Sequence, residues 1–91
     1  MFTLENIPVA NTQIVDRVLA DEAVLVLPEV GQVKVLNQVG ARIWQLIDGQ
    51  ASGAEIAACI HQEFEVDLQE CRQDTLAFLQ ELQTKGMITV K

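Results

Sequence analysis

An α+β fold, with a small antiparallel sheet followed by three bundled helices, is what this sequence predicts. Two observations carry that reading. From Gln13 to Leu36 the apolar residues fall in three short, β-branched runs separated by turn residues. From Asn37 to Lys85 they recur at helical spacing, and each helical stretch is preceded by a helix-start signal. With 91 residues, the chain has room for one domain and one core.

Residues 1–12 show no periodicity and are expected to form an extended N-terminal arm, leaving 13–91 as the single domain. Ile14, Val15, Val18 and Leu19 make the first strand, and Ala20-Asp21-Glu22 is short enough for a hairpin link. Ala23 to Leu27 makes the second. After the turn signals of Pro28, Glu29 and Gly31 comes the third, Val33-Lys34-Val35-Leu36. Three strands in series with tight links form an antiparallel meander.

At Asn37 the period changes. Asn is a good N-cap, because its side chain accepts from a free N–H of the first helical turn. Val39, Ile43, Leu46 and Ile47 then share one stripe, and Gly49 is expected to stop this helix after Asp48. Ser52 with Glu55 forms a capping box for a second helix, whose apolar face reads as Ile56, Cys59, Ile60 and Phe64. Asp67 with Glu70 repeats the signal for a third helix from Leu68 to Lys85, before Gly86. On a helical wheel its core face is Leu68, Cys71, Thr75, Phe78, Leu79 and Leu82. Met87 to Val90 is a short β-prone tail.

Charge then excludes whole classes of function. Thirteen acidic residues against six basic ones give a net charge of −7. A partner of polyanionic nucleic acid needs the opposite balance, and so does one of an acidic membrane surface. Three strands and three helices suit a winged helix-turn-helix, but the middle helix has Glu55 and Glu63 and no Lys or Arg. A DNA reader built this way would repel its ligand.

The longest apolar run, Ala23 to Leu27, is far too short to span a bilayer, and the N-terminus lacks the basic region of a signal peptide. Cys59 and Cys71 are too few for a disulfide framework and read as reduced core residues of a cytoplasmic protein. One histidine and no ligand-spaced pair give no metal site. His61 has no nucleophile or orienting acid marked beside it, and Gly49 to Gly53 lacks the Lys and spacing of a phosphate loop. The sequence therefore predicts neither an enzyme nor a cofactor.

What remains is binding. The third strand ends the meander, so one edge is open to strand addition by an extended peptide. Lys34 is its only charge, and it serves either to guard that edge or to attract an acidic peptide. On the third helix, Arg72, Leu76 and Gln83 form a flank with an apolar body and hydrogen-bonding ends. Leu76 either belongs to that binding flank or broadens the core stripe. The alternatives to a peptide groove are a winged-helix DNA binder and a general protein-interaction module.

The string Leu36-Asn37-x-x-Gly40-Ala41-x-Ile43-Trp44-x-Leu46-x-Asp48-Gly49 resembles the signature of PqqD-like proteins, named for pyrroloquinoline quinone biosynthesis protein D. The similarity continues through Glu55-Ile56, Phe64-x-Val66, Asp74, Phe78-Leu79, Leu82 and Gly86. Gln38-Val39 and Ser52-Gly53 depart from the usual pattern while keeping the caps at Asn37 and Ser52. The resemblance implies a winged helix-turn-helix-like domain of three strands and three helices, a recognition element for precursors of ribosomally made, modified peptides. Such proteins bind a precursor's leader segment between the third strand and third helix. They present it to a radical-SAM or other modifying enzyme, or to a leader peptidase, in quinone-cofactor, lasso-peptide and other pathways. The peptide-binding residues expected on this basis are Val33, Lys34, Val35, Leu36, Arg72, Leu76 and Gln83. Within the signature, Asn37 is expected to cap, Gly40 to permit close helix approach, Trp44 to fill the seam between sheet and helices, and Gly49 to turn left-handed.

Two measurements check the exclusions. Purified protein dialysed against chelator is expected to hold no stoichiometric metal. Duplex DNA is expected to show no mobility shift even at low salt, where phosphate-driven binding is strongest.

Overall fold

The structure, a computed structural model, describes residues 2–91. The elements run β1 (Pro8–Ala10), β2 (Val15–Leu19), β3 (Glu22–Leu27), β4 (Gln32–Leu36), α1 (Gln38–Leu46), α2 (Gly53–Phe64), α3 (Leu68–Thr84) and β5 (Ile88–Val90). Strands β2, β3 and β4 form the antiparallel meander in that order, with Val24 opposite Val35 and Leu25 opposite Lys34. A 3₁₀ turn over Pro28–Val30 joins β3 to β4, and Gly31 closes it at φ +68°.

Alternation along these strands sorts the two faces. Ala23, Leu25, Leu27 and Leu36 are buried against the helices. The opposite face carries cross-strand rows such as Val15–Val26–Val33, and Val33 and Val35 remain 56% and 61% exposed.

Asn37 caps α1 as expected, its Oδ1 accepting from the Gly40 N–H at 2.9 Å. The helix ends at Leu46, two residues before the expected Asp48. The cause is local. Asp48 Oδ1 accepts from the N–H groups of Gln50 and Ala51, both at 2.9 Å, so Asp48 organises the following turn instead of closing the helix. Gly49 supplies the left-handed residue of that turn at φ +79°.

Both halves of the Ser52–Glu55 capping box form at the start of α2. The next two free donors are satisfied from outside the helix. Gly53 N–H donates to the Asn6 carbonyl at 3.0 Å, and Ala54 N–H to the Leu4 carbonyl at 2.9 Å. A Cβ at Gly53 would lie 3.2 Å from both Leu4 Cα and Phe2 Cε1, so a glycine here lets the arm pass. The face α2 buries is Gly53, Ile56, Ala57 and Ile60. Cys59 is exposed, which corrects the reading of both cysteines as core residues. At 100° per residue Cys59 lies roughly 110° from the centre of that face, and the smaller Ala57 takes its place.

Asp67 Oδ2 caps α3 by accepting from the Glu70 N–H at 3.0 Å. At the other end Gly86 N–H donates to Gln83 O at 3.0 Å and Met87 N–H to Leu82 O at 2.9 Å, a Schellman motif with Gly86 at φ +75°. Its buried stripe is Cys71, Thr75, Leu79 and Leu82. Leu68, expected in that stripe, is the first residue of the helix and stays exposed, and Phe78 is half-buried at the stripe's edge.

The arm and the tail are tied to each other. β1 pairs antiparallel with β5, Pro8 opposite Val90 and Ala10 opposite Ile88. Asn11 extends this junction, its N–H donating to Met87 O at 3.0 Å and its Nδ2 to Gly86 O at 2.9 Å. Phe2, at 1% exposure, joins the central core with Leu25, Ile43, Trp44, Ile56, Leu79 and Met87. Trp44 is 9% exposed, and its indole N–H donates across to Asp16 Oδ2 in β2 at 3.4 Å.

Trp44→Ala and Phe2→Ala are each expected to cost about 3–5 kcal/mol. That is a large share of the roughly 5–14 kcal/mol available to a chain of this length. Denaturant unfolding checks both. A Phe2→Ala midpoint close to that of the parent would show that the arm adds nothing to the core.

Candidate functional site

A groove of about 400 Å³ opens where β4 passes into α1. Its strand wall is Lys34, Val35 and Leu36, and its helix wall is Glu70, Cys71, Asp74, Thr75 and Phe78 of α3. Ile43 of α1 and Ile60 of α2 contribute buried apolar groups between the walls, and Val66 lies at one end, next to the start of α3.

Each wall is held by a local device. The Asn37 cap turns the chain from strand to helix within one residue, which brings Val39 and Gly40 to the groove. A Cβ at Gly40 would meet Leu36 Cβ at 3.4 Å and Phe78 Cε1 at 3.5 Å, so a longer side chain there would occupy the space between the walls. His61 Nδ1 lies 2.6 Å from Val66 O, and as the protonated nitrogen it donates to that carbonyl, pinning the α2–α3 link. The buried Cys71 thiol donates to Ala57 O at 3.3 Å and ties α3 to α2.

β4 is one of the two edge strands of the meander, β2 being the other, and it is the edge that borders the groove. Lys34 forms an ion pair with Glu81, linking β4 to α3. Elsewhere Arg42 Nε and Nη2 donate to the two Glu63 carboxylate oxygens at 2.7 and 2.9 Å, joining α1 to α2. These are the only two ion pairs among the described residues. Glu70 and Asp74, both exposed on the groove wall, have no cation partner.

Of the seven expected site residues, the structure brings Lys34, Val35 and Leu36 to the groove. Val33 points to the exposed outer face of the sheet. Arg72, Leu76 and Gln83 lie on the other flank of α3. Leu76 is half-buried against the core, and on the same side Gln80 Nε2 donates to the Phe2 carbonyl at 3.0 Å. The sequence reading missed Asp74, Phe78, Val39 and Ile43 as groove residues. For Asp74 and Phe78 the signal was present, since Glu70, Asp74, Phe78 and Glu81 share one flank of the α3 wheel.

An open strand edge beside an apolar groove defines a binding module. Residues 22–88 match the profile of the family described as coenzyme PQQ synthesis protein D (PqqD), and the chain belongs to that family. Proteins of this kind recognise their ligands without catalysing a reaction, and this one is not an enzyme. Among solved structures it is similar to TbiB1, solved in complex with the TbiA(beta) leader peptide, at 30% identity and a TM-score of 0.80 over 88% of this chain and 93% of that one. It is similar too to a lasso peptide synthetase B1 complexed with its leader peptide, at 24% identity, a TM-score of 0.79 and coverage of 91% and 98%. A third similar structure is the PqqD truncation of Methylobacterium extorquens PqqCD, described as a functional, stand-alone RiPP recognition element. It is 22% identical with a TM-score of 0.80, over 98% of this chain and 95% of that one. No curated protein sequence matches the chain. Among the described residues no helix is long and apolar enough to cross a membrane.

Two carboxylates near the groove's supports titrate below their ordinary range. The backbone N–H groups of Ala51 and Gln50 stabilise the Asp48 carboxylate and hold it below 3.8. The hydrogen bonds from Arg42 hold Glu63 below 4.5, and the same pairing raises Arg42. Both carboxylates are depressed on folding, so their stabilisation is complete above those ordinary values and is lost as pH falls through the lower folded ones. Acid unfolding is therefore expected to steepen below about pH 4.5. The pair Asp48→Asn with Glu63→Gln should flatten that limb, as read from denaturant midpoints across the pH range.

Proposed function

We propose that this protein binds the leader segment of a ribosomally synthesised precursor peptide as an added strand on β4, and presents it to a modifying enzyme or leader peptidase. The observation that carries the reading is that the unpaired edge of β4 opens onto an apolar groove walled by α3. An incoming strand gains a backbone ladder from the edge and burial for alternate side chains from the groove. The groove-side stripe from Glu70 to Glu81 extends ~16 Å at 1.5 Å rise per residue. About five residues of extended peptide span that length. The leader complexes of the similar proteins support recognition of a leader peptide.

In this reading the meander is the wing, and α2 and α3 are the paired helices, of a winged helix-turn-helix-like domain. The DNA-binding alternative fits poorly, because the groove side of α3 presents Glu70, Asp74 and Glu81. On the peptide side, Lys34, Val35 and Leu36 are retained from the expected site. Phe78, Val39 and Ile43 replace Arg72, Leu76 and Gln83. We place the protein in the cytoplasm, where an exposed free thiol such as Cys59 stays reduced.

Titration of fluorescently labelled leader peptides, including the TbiA(beta) leader bound by a similar protein, tests the proposal. Val39→Glu puts a carboxylate in the groove, where a bound peptide must desolvate it. It lies in the first turn of α1, where the helix dipole favours an acid, so the fold should hold. It is expected to weaken binding on the order of tenfold or more. Arg72→Ala, on the far flank, should change affinity less than about twofold. Equal affinity for parent and folded Val39→Glu would place the site elsewhere.

A further inference from the structure

We infer that the groove selects peptides carrying a lysine or arginine opposite Glu70 and Asp74, two residues away from an apolar anchor, and that Lys34 is not a free cation for acidic peptide residues. The inference rests on the strand-addition reading above and adds the chemistry of the peptide to it.

The charges of the two walls decide the sign. Lys34 is the one cation on the groove lining, and Glu81 of α3 already pairs with it. Glu70 and Asp74 are four residues apart on the same helix, so their side chains stack one turn apart on one wall. Neither has a cation partner among the described residues. The strand wall is therefore close to neutral and the helix wall carries two unmatched carboxylates. An acidic peptide residue entering here meets like charge, and its competition for Lys34 has to break an existing pair. A basic residue meets two acceptors, in a site that becomes less hydrated as the peptide closes over it.

Geometry adds the anchor. In an added strand, residues i and i+2 point to the same face of the sheet. One inward side chain rests on the apolar groups between the walls, chiefly Ile43, Ile60 and Phe78. The inward neighbour toward Val66 then faces Glu70 and Asp74. The recognised pattern is a cation and an apolar residue separated by one position.

A displayed library of random twelve-residue peptides, selected separately on the parent and on the pair Glu70→Gln with Asp74→Lys, tests this. Gln keeps the first turn of α3 free of a cation that the helix dipole would disfavour, and Lys is a good mid-helix residue. On the parent, Lys or Arg is expected to exceed Asp or Glu about tenfold at one inward position; on the variant the bias should reverse. Synthesised parent-selected peptides should shift the amide resonances of Val33 to Leu36. Their affinity should fall severalfold between about 0.05 and about 0.5 M salt. This salt readout needs only the parent protein.

Peptides that shift the β4 amides but show the same charge bias on both proteins, or affinity indifferent to salt, would overturn the inference while leaving strand addition standing. Selected peptides that leave the β4 amides unmoved would overturn both.

Discussion

The corner at Leu36, Asn37 and Gly40 is the constraint on which the rest of the molecule depends. β4 must end and α1 begin without a loop, because a loop there would fill or cover the groove. Asn37 makes this possible by standing in extended backbone while its side chain satisfies the Gly40 N–H. Leu36 is then driven into the core from the strand side, and Ile43 and Trp44 enter it from the helix side. Because α1 starts on the strand itself, its orientation over the sheet is fixed by the strand. That orientation places Ile43 between β4 and α3. Leu36, Asn37, Gly40 and Ile43 of the signature themselves line the groove, so this corner sets both the shape of the site and part of its lining.

A second constraint is size. Three short strands and three helices leave the start of α2 and the end of α3 with backbone groups that must find partners. The N-terminal arm supplies them at α2 through Leu4 and Asn6, and just beyond α3, at Gly86 and Met87, through Asn11. The arm also delivers Phe2 to the core from the side away from the groove. Gly53 marks the crossing point. Serine keeps the cap, and glycine admits a neighbouring backbone that a Cβ would crowd.

Features set by residues close in the chain were legible in the sequence. The caps at Asn37, Ser52 and Asp67 and the stop at Gly86 arise from partners within a few positions of one another, and the meander from strands that follow one another directly in the chain. The pairing of β1 with β5 was not legible, since Pro8 and Val90 lie at opposite ends of the chain and, although the tail reads as β-prone, nothing around Pro8 marks its partner. Cys59 misled because its side chain reads as apolar, while Ala57, which takes the buried position, gives almost no signal. At Asp48 two candidate roles competed, helix end and turn former, and two backbone donors decided for the turn.

The absence of Arg72, Leu76 and Gln83 from the groove lining has a more general cause. A helical wheel shows a buried stripe with two flanks, and nothing in the wheel says which flank meets the strand edge. On α3 both flanks are amphipathic: Arg72, Leu76 and Gln83 on one side, Glu70, Asp74, Phe78 and Glu81 on the other. The choice is made by the direction in which α3 crosses behind the sheet, a tertiary property fixed by the α1 corner and the short α2–α3 link. Had the first flank faced β4, Arg72 would have stood on the helix wall in place of two carboxylates. With the second flank there, the same composition produces an acidic wall, and Lys34 is drawn into a pair with Glu81. The placement of one helix thus decides the charge of the groove's helix wall, although no residue in the sequence has changed.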